Sequence, residues 1–167
     1  LSYIILFVPK FDYIQKRLFS FIDPNSGNNY QPEKASEAIS GGGFFGKGIG
    51  EGTLNSRIPE AHTDYIISVI SEEFGILIVI FIMLILLIFS YQVLKKINLE
   101  SNNKAKLILV GSITIILLQA FIHIGVNIRF LPTTGMTLPF LSYGGSSIIS
   151  TAILSGIILN LTKRKLT

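Results

Sequence analysis

The chain carries a carboxylate where polar sequence gives way to apolar sequence. Asp64 closes the run Ile58-Pro-Glu-Ala-His-Thr-Asp64, and a long apolar stretch begins at Ile66. Ser68, Ser71 and Gly75 follow at helical spacing, with Glu72 beside them. This polar face enters the apolar stretch and must meet protein or water, since such groups are costly against lipid. A carboxylate at that edge, stripped of part of its hydration, has its pKa pushed toward the working pH and can take a proton from a hydroxyl as a general base. The competing reading is structural: Asp64 or Thr63 at a helix start satisfies orphan amides and complements the helix dipole. Glu60 and His62 accompany Asp64, but His-Thr-Asp alone is too sparse to make a metal site.

A second candidate lies upstream, in Gly41-Gly-Gly-Phe-Phe-Gly-Lys-Gly-Ile-Gly-Glu-Gly52. Gly46 and Gly48 offer backbone that a bulky polar ligand can approach, and Lys47 between them offers a cation for phosphate. A flexible loop is the alternative. The same run imitates two nucleotide motifs. Gly41-x-Gly43-x-x-Gly46 matches a dinucleotide fingerprint, and Gly41-x-x-x-x-Gly46-Lys47 nearly matches a P-loop. Gly48 stands where the P-loop needs Ser or Thr, and neither motif has its required strand before and helix after, so nucleotide binding is set aside. Further polar groups sit in apolar surroundings. Glu72 and Glu73 need partners, and Gln119, His123 and Asn127 recur every four residues, as a cavity wall or a hydrogen-bonded seam would. The stretch Leu131 to Ser147 holds Pro132, Pro139, Gly135, Gly144 and Gly145 amid apolar sequence. Irregular backbone at membrane depth must be covered by protein or line a cavity, so the stretch caps a buried polar cavity or is an ordinary helix-breaking loop before a membrane helix. Ser142 and Ser146 there can reach a ligand, while Gly144, Gly145 and the small residues after them read as close-packing positions.

The elements that must hold these residues are membrane helices. The chain is 49% hydrophobic and 14% charged, against about a quarter charged in soluble domains. It has no Cys, hence no disulfide framework. Residues 1–8 read as the end of a helix from a longer parent, 9–65 as a long outer loop, and 66–94, 107–126 and 138–161 as three spans. The intervening segments are 95–106, 127–137 and a tail at 162–167. Lys95, Lys96, Lys104 and Lys106 fill one short loop and Lys163, Arg164 and Lys165 the tail, which puts both in the cytoplasm by the positive-inside rule. The outer loop holds six basic residues and seven acidic ones, and long loops cross largely regardless of charge. Phe11, Ile14, Leu18, Phe21 and Ile22 predict an amphipathic helix at the interface, and residues 32–39 a second short helix. The fold class is therefore all-α, a polytopic transmembrane helix bundle with about three full spans and a long extracytoplasmic loop.

The glycine run, the Pro-Glu-Ala-His-Thr-Asp run, Ser71-Glu-Glu-Phe-Gly75 and the Leu131–Ser147 segment, in this order, resemble the C-terminal part of the SEDS family, the FtsW, RodA and SpoVE proteins of bacterial wall synthesis. The wording is nearest the FtsW branch, and the resemblance covers essentially the whole chain. Such proteins have about ten membrane helices. The resemblance implies a peptidoglycan glycosyltransferase acting on lipid II in the inner membrane at the division septum. It assigns Asp64 as the catalytic residue, with Gly46, Lys47, Gly48, Glu60, His62, Ser142 and Ser146 as substrate-binding candidates. It implies a class B penicillin-binding protein and other divisome membrane proteins as partners, no nucleic acid, and a divalent cation as the one cofactor to consider. His123 departs from the family pattern, where Asn is common. The alternatives are a flippase for lipid-linked precursors, which polar stripes would suit equally, and a non-catalytic division scaffold.

Overall fold

The computed structural model describes residues 17–19, 21–22, 30–58 and 61–163, and within them every regular element is a helix. In order these are α1 (Tyr30–Gly42), α2 (Leu54–Arg57), α3 (Ala61–Asp64), α4 (Ile66–Phe74), α5 (Ile76–Leu99), α6 (Asn103–Asn127) and α7 (Gly145–Thr162). Residues 17–19 and 21–22 are helical; the rest of the segment read as an amphipathic helix, and Glu60, lie outside the described residues.

Three helices, α5, α6 and α7, are long and apolar enough to cross a membrane. The 24 residues of α5 rise about 36 Å, enough for the roughly 30 Å hydrocarbon layer. The span expected over 66–94 is instead two helices. Gly75 breaks it, at φ 84° and ψ 169°, a conformation nearly reserved for glycine. Hydrophobic periodicity is blind to this break because both sides are apolar. Glu72 and Glu73 consequently precede the span rather than enter it.

Packing divides the molecule into a cap and a bundle. Ala35 and Ala38 of α1 meet Leu54, Ile58, Ala61, Tyr65, Val69 and Val126 in the cap core. A middle cluster joins Ile67, Val79, Leu86, Ala120 and Leu138. At the far end Val93, Ile97, Leu109, Ile113, Ile116 and Ile158 tie the three long helices together. In α7 the hydroxyls of Ser150, Thr151, Ser155 and Thr162 donate to the carbonyls of Ser146, Ser147, Thr151 and Ile158, one turn back in their own helix. The close packing expected at Gly144 and Gly145 is only half present. A Cβ on Gly144 would stand 3.2 Å from the Thr137 methyl, whereas one on Gly145 meets nothing within 4 Å.

Candidate active site

Asp64 ends α3, a single turn that α2 and α4 hold from either side. It does not begin α4. The residue before α4 is Tyr65, which makes no side-chain cap. The irregular segment before α7 lies directly on this turn. Tyr143 N donates to the carbonyl of His62 at 3.2 Å, and Ser142 Oγ donates to that of Thr63 at 2.8 Å. The exposed His62 ring sits 5.9 Å from that of Tyr143. Gly135, at φ 71°, neighbours the Asp64 carboxylate: an added Cβ would stand 3.6 Å from Oδ2, in ordinary contact. Two runs some seventy residues apart in sequence thus make one wall.

The period-four stripe on α6 fastens this wall. Asn127 uses all of its side-chain capacity: Nδ2 donates to the carbonyls of Asp64 at 3.1 Å and His123 at 2.8 Å, while Oδ1 accepts from Ser68 N at 3.3 Å and Ser68 Oγ at 2.7 Å. His123 Nδ1 donates to Met136 O at 2.7 Å, which fixes the tautomer. Gln119 Nε2 donates to Thr137 O at 2.9 Å and to Ser147 Oγ at 3.1 Å. Of the two readings of this stripe, the structure displays the seam. Among the described residues, His123 Nε2 and Ser71 Oγ are buried without a hydrogen-bond partner.

Arg17 joins the same neighbourhood, with Nη1 donating to Thr133 O at 2.8 Å across 116 residues of sequence. The buried Tyr65 phenol registers both charges. Burial and the Asp64 carboxylate push its pKa up to about 12, and Arg17 works against them. Nothing in the sequence spacing marks Arg17 as a site residue; only the fold brings it here.

Lys47 belongs to a second grouping, centred on Glu72. This carboxylate is 2% exposed. It accepts from Lys47 Nζ at 2.7 Å, Thr53 Oγ1 at 3.2 Å and Leu54 N at 2.9 Å. Burial alone would raise its pKa, but Lys47 and the amides of Leu54 and Thr53 outweigh it and hold the carboxyl below its ordinary 4.5. A depressed folded-state pKa gives stability that is present above the ordinary carboxylate range and is lost as pH falls through the folded value. Loop 43–57 should therefore resist proteolysis unchanged from neutral pH to about pH 5 and loosen below the carboxylate range. Glu72→Gln should flatten that acid limb. An acid limb equally steep in the variant would place its origin elsewhere.

The glycine alternation differs from the expectation of bare amides facing a ligand. The amides of Gly46, Lys47 and Gly48 donate to the carbonyls of Gly42, Glu72 and Glu73 at 2.8, 2.8 and 3.1 Å. A Cβ on Gly46 would lie 2.2 Å from Glu73 O, and one on Gly42 1.9 Å from Ser71 O. These glycines let the loop lie backbone to backbone on the end of α4. Ser142 likewise spends its hydroxyl inside the protein, accepting from Leu138 N at 2.8 Å as it donates to Thr63. Ser146 is exposed at the start of α7. Beside the Lys47–Glu72 pair lies a polar cavity of about 160 Å³, lined also by Lys34, Glu37, Thr53 and Arg57. Among the described residues no three His, Asp or Glu side chains converge as a metal-ligand set, and no step is derived through a divalent cation.

Comparison with known proteins matches the sequence to one family. The model of the cell cycle protein family of FtsW, RodA and SpoVE matches residues 1–166. A probable peptidoglycan glycosyltransferase FtsW of Caulobacter vibrioides is 35% identical over 158 residues, 93% of this chain and 40% of that protein. Proteins of the same description from Borreliella burgdorferi and Hydrogenovibrio crunogenus are each 40% identical, covering 90% and 82% of this chain and 43% and 37% of their own lengths. The chain thus spans about two fifths of the relatives it matches.

Proposed function

Because the chain belongs to the FtsW, RodA and SpoVE family, and is thereby a multi-pass membrane protein, we propose that it supplies the catalytic wall of a peptidoglycan glycosyltransferase. The observation that carries this reading is the packing of residues 133–143 onto the Asp64 turn, with Gly135 against the carboxylate. The substrate is lipid II. A hydroxyl of the acceptor sugar attacks the anomeric carbon of the donor glycan. The new glycosidic C–O bond forms as the bond from that carbon to the pyrophosphate oxygen breaks. Asp64 takes the hydroxyl proton, and the polyprenyl pyrophosphate departs with the bonding pair. His62 and Ser146, both exposed near the turn or the helix start beside it, are left to contact sugar or peptide. Lys47 is a weaker candidate for the leaving group, because an anion there must compete with Glu72; Arg57 and Lys34 line the adjacent cavity and add positive charge.

The deciding assay supplies lipid II to the chain within a protein of its relatives' full length, in detergent or vesicles, and measures glycan polymer. Polymer that forms with wild type and fails with the Asp64 variant supports the reading. Transbilayer movement of lipid II without polymer would favour a transporter, and neither activity a scaffold. The protein resides in the bacterial inner membrane at the septum, beside a class B penicillin-binding protein and other divisome proteins. Residues 30–65 face outward, and the basic loop 95–106 faces the cytoplasm. As the chain has no cysteine, Glu51→Cys should label with an impermeant maleimide in intact spheroplasts, and Ser101→Cys only after lysis. The reverse pattern would invert the topology.

A further inference from the structure

Loop 43–50 contains four side chains besides its glycines: Phe44, Phe45, Lys47 and Ile49. Phe44 is 70% exposed, Phe45 85% and Ile49 80%, a concentration of bare apolar surface on a loop that is otherwise backbone. It is not a frayed segment. The amides of Gly46, Lys47 and Gly48 are all donated to protein carbonyls, and Glu51 N closes a turn onto Gly48 O at 3.2 Å. The loop's backbone is thus fixed on the protein with its apolar side chains outward. The fourth side chain, Lys47, is turned to the buried Glu72, so its charge is neutralised on the protein side of the loop.

The position of the loop identifies what meets these tips. Ile76 N, the first residue of α5, donates to Gly43 O at 2.9 Å. Gly75 lies so close to the Phe44 carbonyl that a Cβ would stand 2.1 Å from its oxygen. The loop is level with the start of a helix long and apolar enough to cross a membrane, whose Leu77, Ile78 and Ile80 are themselves exposed. That level is the boundary between headgroups and acyl chains, where aromatic side chains are favoured. We propose that residues 43–50 form a membrane-dipping anchor, with Phe44, Phe45 and Ile49 inserted among the lipid acyl chains of the leaflet in which α5 begins. The bonds made by the amides of Gly46, Lys47 and Gly48 lower the cost of placing this backbone at that depth. The anchor fixes the height of the cap above the bilayer and does not depend on Asp64 being catalytic.

Photo-crosslinking in the native membrane tests this. Benzoylphenylalanine is placed at Phe45, at Ile49 and, as a polar reference, at Glu51, and the products of irradiation are identified by mass spectrometry. Lipid adducts are expected at 45 and 49 and none at 51. A protein adduct at 45 or 49, from another helix or a second protein, overturns the anchor, as does the absence of lipid adducts at both. If the Phe45 variant does not accumulate, the Ile49 variant decides alone, by the same two outcomes.

Discussion

Asp64→Asn is expected to lower glycan polymerisation by at least roughly a hundredfold, the lower end of what a positioned general base contributes. The substitution keeps the size and hydrogen-bonding outline of the side chain and removes its basicity. It also separates the two readings of this residue, since Asn caps helices about as well as Asp. In the fold Asp64 closes α3, and Tyr65, whose own side chain makes no cap bond, stands between it and α4. The measurement is polymer formed from lipid II, beside circular dichroism and membrane yield to show that the variant is folded and inserted. Turnover within tenfold of wild type, from folded protein, would remove Asp64 from the chemistry and direct attention to Glu60 or Glu72.

Gly75→Ala is expected to cost about 3 kcal/mol or more, from two independent causes. The backbone at φ 84°, ψ 169° lies where a Cβ is strained. The added methyl would also stand 2.1 Å from Phe44 O and 2.6 Å from Phe45 N. Backbone cannot swing aside as a long side chain would, so the loop must leave α4. Gly145→Ala is the matched control: the added methyl meets open space, and its effect should stay within about 0.5 kcal/mol. Thermal unfolding in detergent, together with protease access to loop 43–57, reads both variants. Equal melting temperatures would mean that the loop contact on Gly75 contributes little.

The residues explain which features sequence could reveal. The spans were legible because lipid demands long apolar helices, and α5, α6 and α7 meet that demand. The break at Gly75 was not, because hydropathy measures burial and is silent on backbone direction; the only local sign was a glycine after Glu72-Glu73-Phe74. The spacing of Gln119, His123 and Asn127 showed that they share a face, but their partners are Thr137, Met136, Asp64 and Ser68, set by folding and not by periodicity. The glycine alternation was visible with its meaning open, since approach to a ligand and approach to another backbone make the same demand on a side chain. The juxtaposition of Gly135 with Asp64, and the arrival of Arg17 at Thr133, are long-range contacts that no local pattern encodes.

The hydroxyls of α7 bear on how the protein is made. A serine or threonine entering lipid with an unsatisfied hydroxyl carries a penalty until a neighbouring helix relieves it. Ser150, Thr151, Ser155 and Thr162 relieve it themselves, each by bonding to a carbonyl one turn back. The helix therefore leaves the translocon with these four hydroxyls already satisfied and can settle in the bilayer before α5 and α6 close around it. Its membrane insertion and its docking into the bundle are separable events, and a defect in the seam on α6 should strand α7 in the membrane, inserted but undocked.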